Sequence, residues 1–125
     1  MSHLTRVKTQ IKDLESVRAA LAEMGLTLEG AGTVAGGGRT APVEALLKVK
    51  GGHDVGFARQ QDGTYEMVGD WYYAGRQLGG QEQFVGRMQQ LYGVHKAMAE
   101  ASLQGYSVER ATDANGLIRL TLSRY

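Results

Sequence analysis

The sequence predicts an α+β domain. It should be built on a single antiparallel β-sheet of about six to seven strands, a mixed sheet being admitted, and two helices packed on one face. Three observations carry that prediction. Short runs of alternating apolar and polar residues recur between glycine and Asp-Gly turn signals. Two longer stretches, residues 13–24 and 81–104, repeat apolar residues at three- and four-residue steps. The order of the pieces, β-α-β-(β-β-β)-α-β-β, suits one sheet with helices on a single side.

Residues 3–10 read as a first strand, with Thr5, Val7 and Thr9 on one face and Leu4, Arg6 and Lys8 on the other. Asp13 then has the chemistry of a helix N-cap, and Glu15 suits the positive end of the helix dipole. Leu14, Val17, Leu21 and Met24 follow at helical spacing, and Gly25 is a natural stop. Residues 26–29 form a short second strand. Residues 30–40, GAGTVAGGGRT, read as a mobile loop, one able to order on a partner.

Residues 43–50 alternate again, and Gly51-Gly52 turns the chain into its central hairpin, residues 54–73. Asp62-Gly63 is read as a two-residue turn with φ > 0 at both central positions. This hairpin would hold Phe57, Tyr65, Trp71, Tyr72 and Tyr73, the bulk of the aromatic mass, so the rest of the chain should pack around it. Residues 73–80 read as a polar, glycine-rich connection. After the long helix, Gly105 is a stop, residues 106–110 a strand, 113–116 a turn and 117–124 a last strand with Ile118, Leu120 and Leu122 on one face. No internal repeat or boundary interrupts the chain, which predicts one domain over residues 1–125.

Composition removes several function classes. A formal net charge of +1 recommends neither a nucleic-acid backbone nor an acidic partner. Without cysteine there is no thiol catalysis, disulfide or thiolate metal site, which suits a reducing, cytoplasmic setting. The opening MSHLTRVKTQ has no apolar signal-peptide core, and no apolar run approaches the roughly 20 residues that span a bilayer, so a membrane is not an expected partner. Eighteen glycines against one proline make the chain easy to bend, so its order must come from pairing and packing.

Motifs for chemistry fail on spacing. The nearest approach to a phosphate-binding loop, Thr33 to Gly38-Arg39-Thr40, lacks the first glycine and the lysine, and a strand rather than a helix follows. Gly30, Gly32 and Gly36 are wrongly spaced for a dinucleotide fingerprint. His3, His53 and His95 show no metal-ligand spacing, so neither metal nor cofactor is expected. No nucleophile elbow surrounds any serine. Asp70, within Gly69-Asp70-Trp71, reads either as a buried acid or, the favoured reading, as a strand-end carboxylate at the surface. Val55-Gly56-Phe57-Ala58 faintly matches an RNA-recognition strand but lacks its basic residue and later aromatics.

The long helix carries the candidate sites. Phe84, Met88, Leu91, His95 and Met98 make one stripe that should face the sheet. His95 in that stripe reads in two ways: a ligand or proton-transfer group, or a core histidine bonded to strand groups. Gly86, Gly93, Ala97 and Ala101 fall on another arc, flanked by Gln83, Gln90 and Gln104. That arc reads either as a face that docks a partner or a second copy, or as small residues tolerated on a helix held by its apolar side.

Several segments resemble the family called hypothetical chloroplast reading frame 35, a domain of unknown function found in algal plastids, cyanobacteria and other bacteria. Met1-Ser2-His3-Leu4, Lys8-Thr9-Gln10-Ile11 and Asp13-Leu14 carry the likeness at the start. Asp54-Val55-Gly56-Phe57 and Tyr65-Glu66-Met67-Val68 carry it in the middle. Tyr92, His95, Gly105-Tyr106 and Gly116-Leu117-Ile118-Arg119-Leu120 carry it at the end. Residues 30–40 and 74–80 depart from the pattern. The resemblance implies a soluble, compact protein with no established catalysis, and an adaptor role beside an AAA-type ATPase. The expected function is thus a non-enzymatic interaction domain of a bacterial assembly, working through its sheet edge or the Gly86–Gly93–Ala97–Ala101 face. The alternative is a small-ligand or nucleic-acid binder using a pocket or sheet face near Asp70, Trp71, Tyr92 and His95.

Overall fold

The computed structural model describes residues 3–124; Tyr125, and the Met1 and Ser2 that belong to the family resemblance, lie outside the described residues. The elements run β1 (Thr5–Lys8), α1 (Leu14–Glu23), β2 (Leu28–Glu29), β3 (Gly32–Gly36), β4 (Arg39–Val43) and β5 (Ala45–Leu47). There follow β6 (Val55–Arg59), β7 (Tyr65–Gly69), α2 (Trp71–Leu78), α3 (Gln81–Leu103), β8 (Ser107–Thr112) and β9 (Ile118–Ser123). The fold is α+β and its strand pairs are antiparallel, as expected. The expected single sheet is instead divided. Five strands form a sheet in the order β1-β7-β6-β5-β2, while β3–β4 and β8–β9 are separate two-stranded hairpins.

The pleat of β6 shows how the layers stack. Val55 and Phe57 point to one face and Gly56 and Ala58 to the other, and all four are buried. On the first face Phe57, Val55, Met67 and Leu47 pack under Val17 and Leu21 of α1, Trp71 and Ala74 of α2, and Phe84, Met88 and Leu91 of α3. On the second face Val34, Ala41 and Val43 of the β3–β4 hairpin cover Ala58 and Val68, with Leu4 and Leu46 at the margin. The sheet is therefore covered on both sides rather than one.

That second cover replaces the mobile loop expected at residues 30–40. Gly37 and Gly38 both lie in the left-handed region, φ 58° and 76°, which gives the two-residue turn whose twist matches paired strands. Other glycines act by having no side chain. A Cβ on Gly56 would stand 2.4 Å from Val43 Cγ1, and one on Gly32 would stand 2.4 Å from Leu46 Cδ1. The hairpin thus seats directly against backbone. The strand expected over 43–50 breaks at Glu44, where the chain passes from hairpin to main sheet. The Glu44 N–H donates to the Phe57 carbonyl at 2.9 Å, and its Oε2 accepts from the Arg59 N–H at 2.7 Å.

The central hairpin exists, but its turn differs from the expectation. Gly63 has φ 87° while Asp62 does not adopt positive φ. The Gly63 N–H donates to the Gln60 carbonyl at 3.0 Å, and the Gln60 N–H to the Thr64 carbonyl at 2.7 Å. Asp62 Oδ1 accepts from the Thr64 N–H and hydroxyl at 2.9 and 2.6 Å. The result is a longer loop closed by a left-handed glycine and an aspartate side chain. The hairpin also ends sooner. Trp71-Tyr72-Tyr73 opens helix α2, because Trp71, Ala74 and Gly75 share one buried side while Tyr72, Tyr73 and Arg76 face water. The connection expected over 73–80 is mostly this helix, stopped by Gly79 at φ 87°.

The capped helix α1 stands where the sequence places it. Asp13 Oδ1 accepts from the Glu15 and Ser16 N–H groups at 2.9 and 3.4 Å.

Candidate functional site

The four residues expected near a pocket are distributed over different layers. Asp70 stands between β7 and α2, at the N-cap of the helix, and is 2% exposed, so the surface expectation is corrected. It turns to the hairpin side, where a Cβ on Gly36 would lie 3.0 Å from its own Cβ. Its Oδ1 has no hydrogen-bond partner among the described residues. Trp71, the next residue, packs on the helix side with its ring 6.3 Å from Phe84. Tyr92 is buried, and its hydroxyl accepts from the Lys12 N–H at 2.9 Å, tying the β1–α1 connection to α3. Of these four residues only His95 lines one of the three main hollows, so they do not share one of them.

His95 is neither aimed at the sheet nor bonded to a strand backbone. Its stripe begins as expected, with Phe84, Met88 and Leu91 buried, but Val85 and Tyr92 are buried beside them and the later part turns to α1. There His95 Nε2 meets Glu23 Oε2 in the last turn of α1. The same carboxylate takes the Arg110 guanidinium of β8 in a two-pronged bridge, 2.8 and 2.9 Å. The Arg110 hydrogen bonds, helped by His95 and opposed by partial burial, hold the Glu23 carboxyl down to about 2. Glu23 is therefore a fixed negative charge that ties three elements together.

Sequence reasoning did not find this cluster, since its members are 72 and 87 residues apart. One signal was present. A glutamate in the last turn of a helix opposes the dipole, so Glu23 was electrostatically misplaced unless it had a cationic partner. Beside the cluster, His95 lines a groove of about 380 Å³ with Asp13, Ser16, Ala19, Met98 and Ala99. A larger polar hollow of about 590 Å³ lies where β1 ends and the β6–β7 turn begins, among Lys8, Gln10, Gln60, Thr64 and Glu66. Among the described residues no three His, Cys, Asp or Glu side chains are grouped to hold a metal. No described helix is long and apolar enough to cross a membrane.

The small-residue arc of α3 is narrower than its sequence suggests. Gly86, Gly93 and Ala97 are exposed. Ala101 is buried where the chain folds back, its carbonyl accepting from the Tyr106 N–H at 3.0 Å. Gln90 at the flank reaches the β8–β9 turn, its Nε2 donating to the Gly116 carbonyl at 3.1 Å. A Cβ built on Gly86 or Gly93 meets no atom within 4 Å. Nothing inside the described chain requires glycine there.

The fold and these clusters define a class: a small α+β protein in which an antiparallel sheet lies between helices and a docked hairpin, with a carboxylate-centred bridge holding a second hairpin. Within that class the chain belongs to the family described as "Protein of unknown function (DUF1257)", whose model matches residues 20–121. It is similar to proteins named "Uncharacterized protein ycf35" from Cyanophora paradoxa, 29% identical over 128 residues, and Pyropia yezoensis, 27% identical over 131 residues. A third, from Guillardia theta, is 26% identical over 128 residues. Each alignment covers 100% of this chain and 98% of the relative. The resemblance read from the sequence is this family. No solved structure matches.

Proposed function

We propose that this protein is a non-catalytic interaction domain of a larger assembly, and that it docks through the exposed Gly86–Gly93–Ala97 face of α3. One observation carries the reading: two interior helix glycines stand in open space. Each costs a helix about 1 kcal/mol against alanine. Their small size has no use inside the chain, and a neighbouring backbone approaching α3 would give it one. Exposed Gln83 stands on one flank of this face and exposed Glu82 and Glu100 on the other, so an approaching backbone would meet a polar rim.

The test uses two substitutions at one position. Gly93→Ala should raise stability by about 1 kcal/mol and leave assembly intact. Gly93→Gln should keep the fold but abolish association, read as mass in solution and as recovery of a stoichiometric protein partner from native extract. Unaltered mass and recovery with Gly93→Gln would remove the proposal.

A further inference from the structure

We propose that the outer side of helix α2, with the turn before β6, is a stacking platform for single-stranded nucleic acid. This site is separate from the α3 face and does not rest on it. Its first element is a pre-formed ladder of planar groups. The His53 and Tyr73 rings lie 4.4 Å apart at 17°, Tyr72 meets Tyr73 edge-on at 4.9 Å, and the Arg76 guanidinium sits 4.5 Å over the Tyr72 ring. Arg76 Nη2 also donates to the Tyr72 hydroxyl at 2.9 Å. Yet Tyr72 and Tyr73 remain 49% and 38% exposed. Rings already held in place lose little freedom when a base stacks on them.

The second element is charge. Arg76 lies over the Tyr72 ring, and exposed Lys50 stands in the turn that precedes His53. The nearby carboxylate Asp54 is already taken, by Lys48 Nζ at 2.8 Å and the Val49 N–H at 3.0 Å. What faces solvent is therefore aromatic and cationic, the combination that holds bases and phosphates of an unpaired strand. None of these residues lines the hollows of about 590, 380 and 200 Å³, and an extended strand can lie along the exposed rings. The exposed leucines are elsewhere, at Leu103, Leu117 and Leu122, so what this patch offers is flat aromatic ring and guanidinium surface. With a whole-chain charge of only +1, stacking rather than counterion release should dominate.

Fluorescence anisotropy of the full chain with a labelled oligouridine of about 12 nucleotides tests this. Wild type should bind, and bind uridine monophosphate and a duplex of equal length far more weakly. Tyr72→Ala and Tyr73→Ala should each weaken binding roughly ten-fold. Tyr73→Phe should leave it unchanged, since the stacking face is kept. Arg76→Gln should lower the slope of log affinity against log salt by about 0.7, the share of one phosphate on a single strand. Should the alanine variants melt early, Tyr73→Phe and Arg76→Gln still carry the test. The proposal is overturned by wild type that ignores the oligonucleotide, by full affinity in the Tyr72→Ala/Tyr73→Ala double variant, or by equal affinity for the mononucleotide. It is equally overturned if the platform captures only protein.

Discussion

Two separate two-stranded hairpins in this molecule differ in how they are held. A two-stranded ribbon is marginal in water by itself, so each must borrow stability from what it touches. The β3–β4 hairpin borrows it from apolar contact. Val34, Ala41 and Val43 are 2–4% exposed, and Gly32, Gly36 and Gly56 remove the side chains that would hold it away from the sheet. The β8–β9 hairpin has no buried residue in either strand. It rests on α3 through half-buried Val108, Ile118 and Leu120, and is fastened by Arg110 to Glu23 and by Gln90 to the Gly116 carbonyl. The first should melt only with the whole domain, and the second should open on its own.

The strongest way to break that contrast is Gly56→Ala. Its methyl would lie 2.4–2.7 Å from the Val43 side chain, so the β3–β4 hairpin must shift or lift. A loss of about 3 kcal/mol is expected in urea unfolding. Adding Val43→Ala should recover part of it, because two of the three crowding atoms are Cγ atoms. A neutral Gly56→Ala would mean that the hairpin is not seated on the sheet.

Matched truncations sharpen the comparison. Val34→Ala should cost about 2 kcal/mol in global stability, since its side chain is fully packed. Val108→Ala, at a half-buried position, should cost only about 0.5 kcal/mol. Equal losses would show that both hairpins belong to one cooperative core.

A global loss of no more than about 0.5 kcal/mol is expected from Arg110→Gln, because Glu23 and Arg110 are both partly exposed. Amide exchange over residues 107–123 should nevertheless rise sharply while residues 32–43 stay protected. Acid should act in the same way. The Glu23 carboxyl is lowered in the folded state from 4.5 to about 2, so its contribution is whole above about pH 4.5 and is lost as pH falls toward 2. Asp13, Asp54 and Asp62 are lowered too, so total stability does not isolate Glu23. Exchange in the β8–β9 amides does, and unaltered protection there down to pH 2 would refute the fastening role.

The parts of the fold legible in the sequence are those written in local chemistry. Asp13 caps α1, Gly25 stops it, and the repeat from Phe84 to Leu91 marks α3. What was illegible depended on a distant neighbour. Glycines in residues 30–40 read as freedom, yet Gly32 and Gly36 are small because Leu46, Leu4 and Asp70 crowd them. Trp71-Tyr72-Tyr73 has strand-forming residues, and only the burial of Trp71, Ala74 and Gly75 on a shared side makes it helical. At the candidate sites the sequence marked Gly86 and Gly93 correctly as exposed and small. It missed Glu23, because a lone acid at a helix end says nothing of an arginine 87 residues away.

Strand β1 lies at the rim of the main sheet, and Arg6 finds Glu66 on β7 only 60 residues later. A ribosome emitting this chain must therefore release more than half of it before the first strand has anywhere to pair. Closing so long a segment early is entropically costly, which makes this rim a late event in folding and sets a slow clock for the whole domain. Until that moment the newborn amino-terminal stretch is unpaired β-forming chain, open to chaperones and to neighbouring copies alike.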